Sequence, residues 1–507
     1  MKKYTVWLVL LMVSFVSACK NYLDIEPIDR LTGNNYFLSA DDVESNLAFI
    51  YDKFFEKLNE SWVIGAVGEA RSGEIFISPG ANGEASRKAI EELGKNELLN
   101  AINNSQFERY KLGDVTNWKK YYQVIQSTNI LLEKLEEGIS GVNGELRERY
   151  IAEAKFIRAF TYFWMVRLYG DVVYYTDTYH AKPLPREDMV KVLNYCIEDL
   201  QPHKSKVPWS LGDPALRGVR PARGAIIALL MHMNMWNSAF DSKNKNKYIQ
   251  ETVDLGEELI NSGRHSLYPL DEESWSLVTK GRSEESLFEF YRSINNGDNV
   301  SALAPFADHF LRWPYKFPRH DARISIAYFA STYMNKIFPE SEADKRREFW
   351  FEDINSDNGD FLLKKYGTNV YASGNENKNP DNTFMIFRYA GAILLYAEAA
   401  AELGEEAKAI RAVNMIRDRA EATPYSGGGS EGLKDFIFLE RCRELIGEGH
   451  KYFDLIRTRR ILNPEWTMNP LSLDQFNRGA WTWPVHRSAL NYNPDMKLNE
   501  YWLTIGR

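Results

Sequence analysis

The chain contains several pairs of apolar-periodic segments, and only a few residues separate the two segments of a pair. Residues 387–403 and 407–420 form one pair, divided by Gly404, and residues 221–239 and 248–260 form another. Apolar residues that recur at this spacing predict amphipathic helices. One pair cannot bury its apolar face alone, so several pairs must stack. The pattern predicts an all-α, tetratricopeptide-like scaffold of helical pairs with the extended surface of a solenoid.

Two stretches of the chain lose the helical period, at residues 61–112 and 267–381. Glycine, proline and asparagine accumulate there and mark turns and open loops. Irregular segments on a rigid scaffold commonly carry binding function. Because no low-complexity linker divides the chain, we predict a single domain over residues 36–507, with these two stretches as a loop-rich ligand face.

The first residues have the pattern of an export signal. Lys2 and Lys3 precede an apolar run at residues 6–16, and Ser17-Ala18-Cys19 follows. The run of about 11 residues is shorter than the roughly 20 that span a membrane. Residues 16–19 resemble a bacterial lipoprotein box, which predicts residues 1–18 as signal peptide, lipid on Cys19 and a tether at residues 19–35. The alternative is an ordinary signal peptide with an incidental cysteine.

Charge and cysteine content exclude some classes of protein. The formal net charge of −8 argues against a nucleic-acid partner, which requires a basic face. Cys196 and Cys442 are isolated from each other in helical patterns, which predicts buried apolar roles and no zinc site. Neither a metal nor another cofactor is implied.

Glu440, Glu444 and Glu448 recur every four residues and would share one helical face. Paired carboxylates could serve as the acid and base of a secreted glycoside hydrolase. Arg441 and Arg443 are interleaved with them, however, and arginine–carboxylate networks on helices are commonly structural. We therefore predict a structural network and no enzyme, and we keep the hydrolase as the alternative.

Aromatic residues supply the candidate ligand platform. A sugar ring presents an apolar C–H face that can stack on an exposed aromatic ring, while polar groups bind its hydroxyls. Trp313, Tyr315 and Phe317 alternate with prolines and a lysine, which a regular helix does not allow. We predict that they contact the ligand together with Arg319. The alternation also fits a strand with one buried aromatic face, and that alternative stays open.

Four further residues are predicted to contact the ligand from the two loop-rich stretches. Tyr291 and Asn296 belong to the same stretch as Trp313, whereas Arg71 and Asn82 belong to the earlier one. Their side chains suit the hydroxyl or acidic groups of a ligand.

An ordered set of sequence blocks spans nearly the whole chain. The blocks are YLDIEP at 22–27, EAKFIRAF at 153–160, RYA at 388–390, YAEA at 396–399, NMIRDRA at 414–420, ERCREL at 440–445, EGHK at 448–451 and WPV at 483–485. In this order and spacing the chain resembles the SusD-like (RagB-like) family of nutrient-binding lipoproteins.

The resemblance implies a fold, a location and a partner. It implies the tetratricopeptide-type scaffold with a loop-rich ligand face, anchored by lipid to the outer membrane and facing the cell exterior. It also implies a SusC-like TonB-dependent transporter, to which the protein delivers its ligand. The expected function is non-catalytic capture of an oligosaccharide or polysaccharide. A peptide ligand is the alternative within the family, and a helical scaffold with protein partners only is a third interpretation.

Overall fold

The computed structural model describes residues 36–58, 60, 67–81, 84–106, 111–179, 182–293, 309–316, 319, 322–367, 370–373, 377–491 and 493–505. The helices are α1 Ala40–Leu58, α2 Glu84–Gly94, α3 Leu98–Asn104, α4 Lys119–Glu137, α5 Gly144–Tyr169, α6 Met189–Leu200, α7 Arg223–Phe240, α8 Lys245–Asn261, α9 Glu272–Lys280, α10 Ser331–Ile337, α11 Lys345–Phe349, α12 Tyr389–Glu402, α13 Glu406–Arg419, α14 Gly429–Glu444, α15 Lys451–Arg457, α16 Leu473–Asn477 and α17 Glu500–Ile505. The strands are β1 Ile75–Ile77, β2 Ser286–Phe290, β3 Ala327–Phe329, β4 Phe351–Glu352, β5 Leu362–Leu363, β6 Val370–Ser373, β7 Asn377–Pro380 and β8 Phe384–Arg388.

Stacked helical pairs form the scaffold, as the sequence predicts. Helix α1 packs on α4, and each helix from α4 to α8 packs on the next one along the chain. The stack continues from α8 to α12, which packs in turn on α13 and α14. The all-α, helical-pair fold class is therefore confirmed, and the β-structure of the described ranges consists of short two-stranded pairs and isolated bridges.

Helix α5 lies at the centre of the scaffold and is buried on nearly every side. Its residues from Tyr150 to Tyr169 are buried almost without exception. A helix that is apolar all round belongs in a core. The ring of Phe160 lies 5.1 Å from that of Phe54 on α1 and 5.2 Å from that of Phe288 on β2, measured between ring centroids. Helix α5 thus packs on both the first helix and the loop-rich stretch at residues 267–381.

Two strand pairs connect the loop-rich stretches, one with the scaffold and the other with each other. Strand β2 pairs antiparallel with β8, which leads directly into α12. Strand β1 pairs antiparallel with β3, with Ile75 opposite Phe329. Since β1 belongs to the earlier stretch and β3 to the later one, the backbone brings the two predicted ligand-face stretches together.

The two stretches contain more helix than their glycine content predicts. Helices α2 and α3 lie within residues 61–112, and α9 and α10 lie within residues 267–381. On α2 the side chains of Ala89, Ile90 and Leu93 are buried, a short apolar stripe that flanking glycines obscure in the sequence. These stretches therefore have regular elements linked by loops.

Helices α8 and α12 approach closely at Gly256. A methyl group placed there would lie 2.6 Å from Tyr396 Cδ2. We expect Gly256→Ala to lower the free energy of unfolding by about 1–3 kcal/mol through overpacking. Chemical denaturation of the purified protein measures this effect.

Gly432 on α14 provides the matched control for this substitution. A methyl group there would meet only Tyr425 Oη, at 3.8 Å. Because alanine favours a helix over glycine by up to about 1 kcal/mol, Gly432→Ala should be neutral or stabilising. Equal stability of the two variants would show that the α8–α12 approach tolerates a side chain.

Candidate ligand-binding site

Trp313 lies on a segment that is tied to the scaffold by its apolar neighbours. Phe310 is buried, and its ring stacks on Phe329 of β3 with centroids 4.8 Å apart. The Phe310 ring also lies 6.2 Å from that of Phe361. The backbone N–H of Trp313 donates a hydrogen bond to Ala322 O at 2.8 Å. The backbone that carries Trp313 is therefore held on both sides.

The Trp313 side chain itself remains in contact with solvent. It is 38% exposed, and among the tryptophans of the described ranges it is the one in the exposed class. The guanidinium of Arg319 lies 4.5 Å from the Trp313 ring centroid. A cation at this distance is attracted to the ring and orders it.

The alternative of a strand with one buried aromatic face is wrong for residues 309–316. This segment forms turns, and the N–H of Tyr315 donates to Arg312 O at 2.8 Å across one of them. Tyr315 is half-buried against Gly367, where a methyl group would lie 2.8 Å from the tyrosine ring. Burial raises the pKa of Tyr315, and the Glu352 and Glu272 carboxylates raise it further.

Tyr291 follows strand β2 and has a different cation as its partner. The Arg282 guanidinium lies 3.6 Å from its ring centroid. Of the predicted contact residues, the structure thus brings Trp313 and Arg319 together, whereas Tyr291 pairs with a residue that the sequence did not single out. Phe317, Asn296, Asn82 and the lipidation residue Cys19 lie outside the described residues.

The structure corrects the prediction that Arg71 faces a ligand. Its side chain is buried, and its guanidinium donates to Trp481 O at 2.7 Å and to Ala480 O at 3.2 Å. The Tyr452 ring lies 4.4 Å from the guanidinium. A buried guanidinium requires such partners, and here the C-terminal backbone supplies them. Arg71 therefore fastens two distant parts of the chain.

The carboxylates of α14 and of the turns after it form a buried ion network, as predicted. The prediction that all three share one helical face is wrong for Glu448, because α14 ends at Glu444. Arg346 Nη2 lies 2.7 Å from Glu440 Oε1, and its Nη1 lies 3.0 Å from Glu444 Oε2. Glu448 Oε1 lies 2.6 Å from Arg388 Nη2 and 2.6 Å from Lys365 Nζ. Glu440 and Glu444 are entirely buried, so a polysaccharide cannot reach them.

The electrostatics of these carboxylates oppose the hydrolase alternative. Burial alone would raise the pKa of Glu448, but Arg388 and Lys365 lower it to about 2. Burial acts on Glu444 in the same way, and Arg419 with Arg388 holds its pKa well below the usual range. The acid of a glycosidase needs a raised pKa and access to the glycosidic oxygen.

Other catalytic patterns also lack the required context. Residues 428–432 match the spacing of a serine nucleophile elbow, but Ser430 lies in the first turn of α14 and no strand precedes it. Among the described residues there is no cluster of histidine, cysteine or carboxylate side chains that could hold a metal ion. Cys196 and Cys442 are buried free thiols, as predicted. Within the same ranges, every helix is too short or too polar to cross a membrane.

Comparison with known proteins identifies the family. Residues 351–502 match the SusD family, and residues 48–234 match a family described as starch-binding, associating with the outer membrane. A SusD homolog from Bacteroides thetaiotaomicron is 36% identical with a TM-score of 0.82, covering 91% of this chain and 98% of its own. A second Bacteroides thetaiotaomicron structure, of a SusD superfamily protein, has a TM-score of 0.71 at 22% identity. The match covers 92% of this chain and 99% of that one. SusD-like protein P38 of Formosa agariphila is 22% identical over 97% of both chains.

The chain therefore belongs to the SusD family. This agrees with the family resemblance of the sequence blocks and with the stacked helical pairs of the fold.

We expect Glu448→Gln to lower the free energy of unfolding by about 3–5 kcal/mol at pH 7, because it takes the paired carboxylate from the buried Lys365 and one of three from the buried Arg388. The folded-state pKa of about 2 lies below the value of about 4.3 for an unfolded glutamate. The stabilisation is thus complete above the unfolded value and is lost as the pH falls toward the folded one. The difference between the two proteins should shrink below about pH 4 in denaturation experiments.

The control for this prediction is Glu431→Gln. Glu431 pairs with Lys434, but its side chain is 86% exposed. Loss of such a surface pair changes stability by less than about 1 kcal/mol. A Glu448→Gln effect as small as this would mean that the network does not stabilise the scaffold.

Proposed function

We propose that the protein captures an oligosaccharide or polysaccharide at the outer membrane, without catalysis, and delivers it to a SusC-like TonB-dependent transporter. Membership of the SusD family supports capture, and the match of residues 48–234 to a starch-binding, outer-membrane-associated family favours a carbohydrate ligand. The buried, low-pKa carboxylates of the α14 network support a binding role over hydrolysis.

The proposed location of the capture site rests on the exposed Trp313 ring. An accessible tryptophan offers a flat apolar face, and the guanidinium beside it offers hydrogen-bond donors. The C–H face of a sugar ring can cover the tryptophan, and the donors of Arg319 can bind the hydroxyls at the edge of that ring. Both residues belong to the stretch predicted as ligand face.

The anchoring of this segment adds to the argument. The packing of Phe310 on Phe329 and the bond from Trp313 N–H to Ala322 O order the platform before any ligand arrives. Ordering a flexible loop on binding would cost free energy, which a prefolded platform avoids. A weak, extended ligand such as a glycan gains most from this arrangement.

We expect Trp313→Ala to weaken polysaccharide binding at least about tenfold, since it removes a central aromatic contact. Calorimetry against a panel of polysaccharides and peptides measures the affinity. Tyr179→Ala is the matched control, because Tyr179 is 80% exposed and lies in the segment between α5 and α6. It should bind as the wild type does.

Three results would contradict parts of this proposal. Glycan binding that Trp313→Ala leaves intact would move the site elsewhere. Saturable binding of peptides alone would replace the ligand class. Release of reducing sugar ends during the titration would make the protein a hydrolase.

The membrane anchor is a separate part of the proposal and rests on residues 16–19 of the sequence. Acyl chains on Cys19 would hold the protein at the membrane, because several chains bind lipid far more stably than one. In cells labelled with a clickable fatty acid, the wild type should carry label and fractionate with outer membranes. Cys19→Ser should abolish both, and Cys196→Ser should change neither. Label on the Cys19→Ser protein would exclude this residue as the acylation site.

A further inference from the structure

An open cleft lies between the first turn of α6, the end of α7, α16 and residues 494–500. Its volume is about 690 Å³, within the range of about 300–1,000 Å³ that is usual for small-molecule sites. Its lining comes from other parts of the chain than the segment that carries Trp313. We name it the Arg459 cleft after the side chain on which its chemistry depends.

The backbone of Arg459 adopts a conformation that non-glycine residues rarely have. Its φ is +60°, in the left-handed region. The guanidinium lies 4.2 Å from the ring centroid of Phe476 and 4.9 Å from that of Phe240, and these two rings are stacked. Conformations of this kind cost about 1–3 kcal/mol and are concentrated at functional sites. The two rings hold the Arg459 side chain at the cleft.

Arg459 also differs from the arginines beside it in the chain. Arg457 Nη2 lies 2.8 Å from Asp454 Oδ1, and Arg460 Nη2 lies 2.5 Å from Asp435 Oδ1. Arg459 has no carboxylate within ion-pair distance in the described ranges. Because cations that leave water are normally paired, a half-buried arginine without a carboxylate favours an anionic ligand.

Most of the hydrogen-bonding capacity of the Arg459 guanidinium remains available. Nη2 donates to Ala239 O at 2.7 Å. The other two nitrogens have no hydrogen-bond partner in the part of the chain that the structure describes, and solvent reaches both of them. A guanidinium carries five N–H donors, so several can reach a ligand in the cleft. Burial lowers the pKa of Arg459, since no carboxylate offsets the loss of water around it.

The charges around the cleft leave a small positive excess in a chain whose net charge is −8. Its lining includes three carboxylates and four cations, which are Arg186, Arg459, Arg478 and Lys497. Of the carboxylates, Asp171 accepts a hydrogen bond from Met189 N–H at 3.0 Å, and Glu500 lies 3.4 Å from Arg478 Nε. The third, Asp495, is exposed. One excess positive charge suits a singly charged anion better than a phosphate dianion.

We propose that the Arg459 cleft binds the carboxylate of a small organic acid with an apolar body. The carboxylate accepts charge-assisted hydrogen bonds from the free donors of Arg459. Apolar side chains on the same walls, those of Met189, Phe240, Pro494 and Leu498, contact the body of the ligand. The inference goes beyond the proposed function, because both the ligand class and the residues differ from those of the polysaccharide platform.

The test is a titration of the whole protein with sodium benzoate and sodium hexanoate, each beside its uncharged amide. Saturation-transfer NMR and calorimetry measure the affinities. We expect saturable binding of at least one carboxylate, at least about tenfold tighter than that of its amide, since the amide lacks the negative charge. Inorganic phosphate should bind more weakly than that carboxylate.

Two substitutions test the site. Arg459→Met keeps an apolar stem over the Phe240 and Phe476 rings but removes the charge, and it should weaken carboxylate binding at least about tenfold. Asn477→Trp fills the cleft from an exposed lining position and leaves the guanidinium in place, with the same expected loss.

Each substitution has a matched control outside the cleft. Arg264 is an exposed arginine, and Leu277 on α9 is 47% exposed. Arg264→Met and Leu277→Trp should bind the carboxylate as the wild type does. Trp313→Ala should also retain this binding, even where it loses the polysaccharide.

Several outcomes would overturn the inference. These are no saturable binding of either carboxylate, an amide that binds as tightly as its acid, or a preference for inorganic phosphate. Carboxylate binding that either Arg459→Met or Asn477→Trp leaves unchanged would do the same. Loss of this binding in Trp313→Ala would assign the carboxylate to the neighbourhood of Arg319 instead. Failure of polysaccharide binding with retained carboxylate binding would contradict only the proposed function.

Discussion

The buried ion network around α14 is the interaction on which the rest of the structure depends. Its cations come from separate places in the chain: Arg346 from α11, Lys365 from the turn after β5, Arg388 from β8 and Arg417 from α13. Asp344 also pairs with Arg346 and Arg417, and Glu285 also pairs with Arg388, so the buried cations share several carboxylates. A buried charge left without any partner would cost several kcal/mol. The helical scaffold and the loop-rich stretch at residues 267–381 therefore have to assemble around the same carboxylates.

This network is also linked to the segment that carries the proposed ligand platform. Arg346 precedes strand β4, whose Phe351 ring lies 6.0 Å from that of Phe361. Phe361 contacts Phe310, and Phe310 is three residues from Trp313. Two aromatic contacts thus lie between the segment that carries the exposed ring and the segment that carries Arg346. Side-chain packing therefore positions this irregular part of the chain.

Much of the fold was predictable from sequence, because apolar residues at helical spacing are compatible with few structures other than a helix. The structure confirms the pair of helices on either side of Gly404. It also confirms the structural role of Glu440, Glu444 and Glu448. Helix α2 was missed, since its apolar stripe spans fewer than two turns beside several glycines. The role of Arg71 could not be predicted either, because it donates to backbone carbonyls, which every residue has. For Trp313 the sequence left both a strand and a loop open, since only tertiary contacts distinguish them.

The bond from Arg71 to the carbonyl of Trp481 spans 410 residues. Contacts between the first and last parts of a chain raise its contact order, and such chains fold slowly. The N-terminal stretch cannot bury its guanidinium until nearly all of the polypeptide has been synthesised. Until then the incomplete chain exposes apolar helix faces that can aggregate. A long-range contact that closes last thus lengthens the time for which these faces stay exposed.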